Sequence, residues 1–213
     1  MTSTRQWLKQ TDVLSIFPTL VWQFTLDTDT RERLNANVLC VLEANRPPPG
    51  ALVHGKGWQS RRDLHRLEAF HELVTCINDA VRAILAFLKS GCAAFEITGC
   101  WANINPPGAV HGIHSHPNNF LSGVYYLQTQ PGADTINFHD PRIQTGIIRP
   151  PATELTAANT DLVVVNVSNG TLLLFPAYLQ HSVSPNASDE DRISISFNMM
   201  FSDFTQNIAR PLW

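Results

Sequence analysis

Three of the eight histidines in this 213-residue chain, His111, His114 and His116, fall within six positions of the stretch HGIHSHPNNFLSGVYYL. In an extended chain, positions i and i+2 project from the same face, so His114 and His116 can grip one metal ion together. His181 follows the very apolar run TLLLFPAYLQ, which predicts a buried strand delivering that histidine at its end. Two ligands from one strand and a third from a distant one make a facial set that leaves coordination positions open for substrate or oxygen. His111 reads either as an ordinary hydrogen-bonding residue or as a contact to a ligand or to a metal-bound histidine. His54, His65, His71 and His139 read as surface or hydrogen-bonding side chains.

Arg192 opens RISISFN eleven residues past His181, after the turn-like SPNASDED. That spacing predicts a hairpin with the arginine strand antiparallel beside the histidine strand. A guanidinium is a planar fork of donors that matches a carboxylate through two parallel hydrogen bonds. Asp189, Glu190 and Asp191 offer the competing reading, a surface ion pair. Strand alternation puts Arg192, Ser194, Ser196 and Asn198 on one face and Ile193, Ile195 and Phe197 on the other. If the arginine faces inward, the interior is a polar pocket whose apolar outer face packs on helices. Asn103 and Asn105 in WANIN share a strand face just ahead of the histidines and are candidates for amide contacts to a ligand. Asp140 and Arg142 in HDPR read as a salt-bridged turn, or as a metal ligand and an anchor for an acidic substrate.

The elements around these residues can be read from their pattern. Residues 13–26, VLSIFPTLVWQFTL, look like an opening strand or strand pair interrupted at Pro18. Residues 28–44 predict a helix that ends before RPPPG. Apolar residues at Leu67, Phe70, Leu73, Ile77, Val81, Ile84 and Leu88 form the stripe of an amphipathic helix closing at Gly91. Short apolar or alternating segments follow: FEITGCWANIN, FLSGVYYLQ, TINFHD, DLVVVNV, TLLLFPAYL and RISISFNMMF. Helices first and strands afterwards imply an α+β domain in which helices buttress an antiparallel barrel or sandwich.

Length and charge narrow the function. The chain has the size of one large domain, taken as 1–213 with residues 1–92 supporting a core at 93–205. A net charge of −3 with scattered Lys and Arg gives no basic stripe for nucleic acid and no polybasic run for anionic lipid. The N-terminal residues do not read as a signal peptide and no run approaches a membrane span, so a cytoplasmic location is expected. Cys40, Cys76, Cys92 and Cys100 show no CxxC pairing and are expected to be buried, reduced thiols. The C-terminal NIARPLW is apolar enough to pack on the core or on a partner, a second copy of the chain included.

Taken in order, H-S-H-P-x-x-x-L-S-G-V-Y-Y-L, I-x-F-x-D-P-R, L-L-F-P-A-Y-L-x-H-S-V-x-P and R-I-S-I-S-F-N resemble the 2-oxoglutarate/Fe(II)-dependent oxygenase superfamily. The likeness is closest to a small bacterial branch distantly related to prolyl 4-hydroxylases, and it spans roughly residues 97–202. It implies a double-stranded β-helix, a jelly-roll or cupin-like barrel. It also implies Fe(II) and 2-oxoglutarate as cofactors, dioxygen, and a small-molecule substrate such as an amino acid or other metabolite. His114 takes the first histidine position and His181 the distal one. The acidic position of the family falls on His116, so the third ligand is His116 or, less readily, Asp140. Arg192 takes the place of the arginine that binds the far carboxylate of 2-oxoglutarate, and Tyr126 that of a hydroxyl donor to the same group.

Two rival readings stand beside this one: a three-histidine cupin-type dioxygenase or isomerase that does not use 2-oxoglutarate, and a non-catalytic barrel module. Three neutral imidazoles cancel less of the metal's field than a carboxylate would, and should favour a dianionic cosubstrate. Imidazole suits iron, zinc, copper and nickel alike. A three-histidine site should therefore be inhibited tightly by Zn²⁺ or Ni²⁺, and metal competition showing weak zinc binding would count against it.

Overall fold

The computed structural model describes residues 12–48, 52–92, 94–142 and 150–208. Helix α1 spans Thr28–Asn45; its N-cap Asp27 accepts the Thr30 N–H at 3.0 Å, and Leu34, Val38 and Leu42 are buried. Helix α2 spans His71–Phe87 and buries Leu73, Ile77, Val81 and Ile84, the stripe expected from spacing. It begins later than that stripe suggests, because Leu67 is extended and Glu68–Phe70 forms a 3-10 turn that buries Phe70.

Among the described residues, ten strands make two antiparallel sheets. The larger, in the order β1-β8-β5-β10-β3-β2, contains β1 (Trp22–Thr25), β2 (Trp58–Gln59), β3 (Phe95–Asn105), β5 (Leu121–Gln128), β8 (Thr171–Pro176) and β10 (Arg192–Phe201). The smaller, β4-β9-β6-β7, contains β4 (His111–His114), β6 (Thr135–His139), β7 (Leu162–Asn166) and β9 (His181–Val183). A short helix α3 (Ser202–Ile208) follows β10. Of the opening segment only Trp22–Thr25 pairs, against β8. Upstream, Pro18 lacks a donor and Phe17 turns the chain at φ 57°. The packing expected of NIARPLW falls outside the described residues.

Alternation along β10 sorts the chemistry. Ile193, Ile195 and Phe197 face Cys100, Ala102 and Ile104 of β3 and Tyr125 of β5 in a core shared with both long helices. The inward faces bring Val124, Tyr126, Leu173 and Phe175 against Ile136 and Phe138 of the smaller sheet, while Arg192, Ser194 and Ser196 line a polar cavity.

Two expectations are corrected. Strand β10 does not lie beside β9: both its edges are taken, by β3 and β5, and β9 sits between β4 and β6. The connection at 184–191 instead carries the chain from one sheet to the other, so the arginine reaches the cavity from across the barrel. Buried Asn186 ties that connection, its amide donating to the Asn105 and Glu190 carbonyls at 2.9 and 2.7 Å and accepting the Ser188 N–H at 2.9 Å. The four cysteines are all free, but Cys40 and Cys92 are exposed and only Cys100 is buried. Cys40 falls on the solvent side of α1, a face that the cysteine count alone does not reveal. Among the described residues no helix is long and apolar enough to cross a membrane.

Gly123 of β5 lies under the Phe197 ring, and a Cβ there would stand 2.7 Å from the Leu173 carbonyl oxygen as well as against that ring. Neither neighbour can move without breaking sheet or core. Gly123→Ala should destabilise the fold by about 1–3 kcal/mol, read as a lower denaturant midpoint at unchanged m-value.

Candidate metal and cosubstrate site

The β4–β9 register sets His114 opposite His181. His116 lies two residues past His114, just beyond β4, and its backbone N–H donates to the Ala177 carbonyl at 2.9 Å. The three imidazoles converge, with one nitrogen of each within 4.8 Å of the others. Nδ1 of His114 meets the Gly112 carbonyl at 2.8 Å, and Nδ1 of His181 meets that of Leu179 at 2.9 Å. A carbonyl only accepts, so both rings carry their proton on Nδ1 and keep the Nε2 lone pair for a metal. Burial pushes His116 and His181 down to about 4, which keeps them neutral, the form that ligates. Phe175 stands 4.7 Å from the His181 ring and helps keep it dry.

Arg192 enters the cavity from the opposite sheet and is 4 % exposed. One guanidinium nitrogen donates to the Thr135 carbonyl at 3.1 Å, and the guanidinium carbon lies 5.7 Å from the centre of the Tyr126 ring. Burial lowers the Arg192 pKa, yet a guanidinium stays charged. Burial pushes the Tyr126 hydroxyl up to about 12, against the pull of Arg192, so it remains a donor at neutral pH. The Tyr126 hydroxyl and Arg192 Nε are both buried with no hydrogen-bond partner. Buried polar groups are rarely left so, and two donors orphaned in one cavity suit an anionic ligand. The residues therefore fit a metal ion at the histidines and a dicarboxylate reaching towards Arg192.

The other expected residues divide. Asn103 lies in the cavity wall, where it donates to the Ser196 hydroxyl at 2.9 Å and accepts from Gln59 at 2.9 Å. Asn105 bonds His111 Nε2 at 2.9 Å and leaves its own amide nitrogen unpartnered. His111 lines the cavity and burial lowers it to about 4. Asn198 takes the Ser122 hydroxyl at 2.8 Å and faces a separate polar pocket beyond Trp101. Asp140 stands outside the histidine cluster, its carboxylate held by Arg142 Nε and Nη2 at 2.9 Å each. Both line a groove of about 640 Å³ beside Leu14 and Phe17 that includes none of the three clustered histidines. The sequence reading passes over Trp101 and Gln59. Trp101 was within reach, since the alternation that selects Asn103 and Asn105 extends to it; Gln59 comes from a two-residue strand with no pattern of its own.

Fold and site together define a double-stranded β-helix barrel with three converging imidazoles in its cavity. Residues 99–198 match the family described as "Putative 2OG-Fe(II) oxygenase". A Pseudomonas putida prolyl 4-hydroxylase structure has a similar fold at 19 % identity and a TM-score of 0.58, over 86 % of this chain and 93 % of that one. The prolyl hydroxylase of Trichoplax adhaerens, in complex with a hypoxia-inducible-factor peptide, matches at 14 % and 0.60 over 90 % and 87 %. HygX of Streptomyces hygroscopicus, with nickel and 2-oxoglutarate bound, matches at 13 % and 0.58 over 86 % and 83 %. No curated protein matches the sequence. The family match covers just under half of the chain and the solved structures share its barrel fold, so the chain resembles the 2-oxoglutarate/Fe(II)-dependent oxygenases.

An unsatisfied buried hydroxyl costs about 1–3 kcal/mol. Tyr126→Phe should therefore leave the ligand-free protein as stable as wild type or more so, by up to that amount in chemical denaturation. A clear loss of stability would mean that the hydroxyl has a partner in the ligand-free protein.

Proposed function

We propose that this protein oxidises a small polar substrate, an amino acid or metabolite of similar size, with iron(II) held by His114, His116 and His181 and 2-oxoglutarate held by Arg192 and Tyr126. Residues 93–205 form the working barrel and residues 1–92 its support, within one domain. The observation that carries this reading is the pair of unpartnered buried donors, Tyr126 and Arg192, sharing one cavity with three converging imidazoles. HygX, whose fold is similar, binds nickel and 2-oxoglutarate together, which supports assigning the two to one cavity here.

When bound, the metal and cosubstrate supply the oxidation: dioxygen is split between the substrate, which gains a hydroxyl, and 2-oxoglutarate, which leaves as succinate and CO₂. The chain's share is placement. Arg192 is steadied by the Thr135 carbonyl and keeps Nε for the far carboxylate. Tyr126 donates its hydroxyl to the same group. Asn103, fixed between Gln59 and Ser196, and Asn105, fixed by His111, hold the polar wall in place. Asn198 is assigned to the outer pocket beside Ser122. No side chain is called on as a general base, in keeping with imidazoles committed to a metal.

Anaerobic addition of Fe(II) and 2-oxoglutarate should give a weak visible charge-transfer band. Arg192→Ala should keep metal stoichiometry but weaken 2-oxoglutarate at least about 30-fold, since it deletes one partner of a buried charge pair. His181→Ala should lose the metal. A wild type that binds iron but shows no band points to a cupin-type enzyme instead. An Asp140→Ala variant that loses iron while His116→Ala retains it would move the third ligand to Asp140.

A further inference from the structure

A second polar pocket opens beside the histidines, lined by Arg62, Thr98, Gly99, Trp101, Asn118, Asn119, Asn198 and Thr205. Trp101 belongs to both walls, lying 6.0 Å from the His116 ring on one side and 5.0 Å from the Arg62 guanidinium carbon on the other. The contact with Trp101 and the backbone bond from Cys100 N–H to the Arg62 carbonyl hold the arginine in place. Its neighbour Asp63 is committed to Arg61. Among the described residues Arg62 makes no ion pair. The Trp101 indole N–H, in a side chain only 5 % exposed, is buried without a partner.

We infer that this pocket binds the carboxylate of the substrate, so that the oxidised molecule is a small organic or amino acid anchored by Arg62 and reaching past Trp101 towards His116. The inference rests on the proposed function, because it places the substrate against that metal site. A guanidinium lying over an aromatic ring is pre-oriented and loses little freedom on meeting a carboxylate. The Asn198 amide nitrogen, whose oxygen is taken by Ser122, offers a further donor. One cation matches a singly charged carboxylate better than a phosphate dianion. Glu96, bonded to Thr205 on the pocket rim, opposes extra negative charge. The loop that follows His116 frames the opening: Asn118 sits at φ 64° and Asn119 accepts the Thr98 hydroxyl at 2.5 Å. A carboxylate here would lie across Trp101 from the His116 ring and clear of Arg192, which enters from the far wall.

The test uses full-length protein loaded anaerobically with Fe(II) and 2-oxoglutarate. It is dialysed to equilibrium against a pool of the twenty L-amino acids and C3–C6 hydroxy acids and, separately, against the matching carboxamides, with bound material measured by mass spectrometry. Wild type should retain at least one acid near stoichiometry and none of the amides. Arg62→Ala and Arg62→Gln, whose folding is checked by circular dichroism, should retain that acid at least tenfold less. Retention of nothing by the wild type, equal retention of acid and amide, or unchanged retention by both variants would each overturn the inference. The charge-transfer band of the wild type separates the two failures: a band without retention sinks only the carboxylate pocket, whereas absence of the band sinks the site reading beneath it.

Discussion

The convergence of the three imidazoles depends on the register between two very short strands. His114 of β4 faces His181 of β9, and because side chains alternate along a strand, a slip of one residue would turn one imidazole out of the cavity. Strands of four and three residues cannot hold such a register alone. It is held from the sides: Phe138 and Asn137 of β6 pair with His181 and Ser182. The His139 N–H donates to the Gln180 carbonyl and the His116 N–H to that of Ala177. The imidazole cluster is thus assembled by neighbours that are not part of it.

The larger sheet does different work. Its outer face is stapled to two helices by an apolar core, and its inner face carries Arg192, Ser194, Ser196, Asn103 and Tyr126 into the cavity. Burying an arginine is expensive unless the charge is used, and in this fold the apolar burial on the other side of the same strand, Ile193, Ile195 and Phe197, offsets that cost. One strand therefore couples stability to function through nothing more than its period of two.

The sequence makes this periodicity legible, which is why the inward face of β10, the stripe of α2 and the convergence of His114, His116 and His181 could all be anticipated. It does not disclose pairing partners. The spacing between His181 and Arg192 suits a hairpin, yet the chain crosses between sheets there, because β10 already has β3 and β5 on its two edges. Asn198 shares a face with Arg192 but stands far enough along the strand to pass Trp101 and enter another pocket. Arg62 could not be singled out, since its position over Trp101 follows from the bridge of Asp63 to Cys100, a contact across distant sequence.

The crossing between the sheets also bears on how the protein ages. Asn186 begins an Asn-Ala-Ser sequon, but it is 5 % exposed, and its amide nitrogen is spent on the carbonyls of Asn105 and Glu190. A glycosyltransferase could reach it only in an unfolded chain. Hydrolysis of that amide to a carboxylate would replace two donations with two repulsions, loosening the connection that carries the chain from the histidine strand to the arginine strand. A single deamidation, passed on through Asn105 to His111, would show itself as a loss of geometry in the cavity.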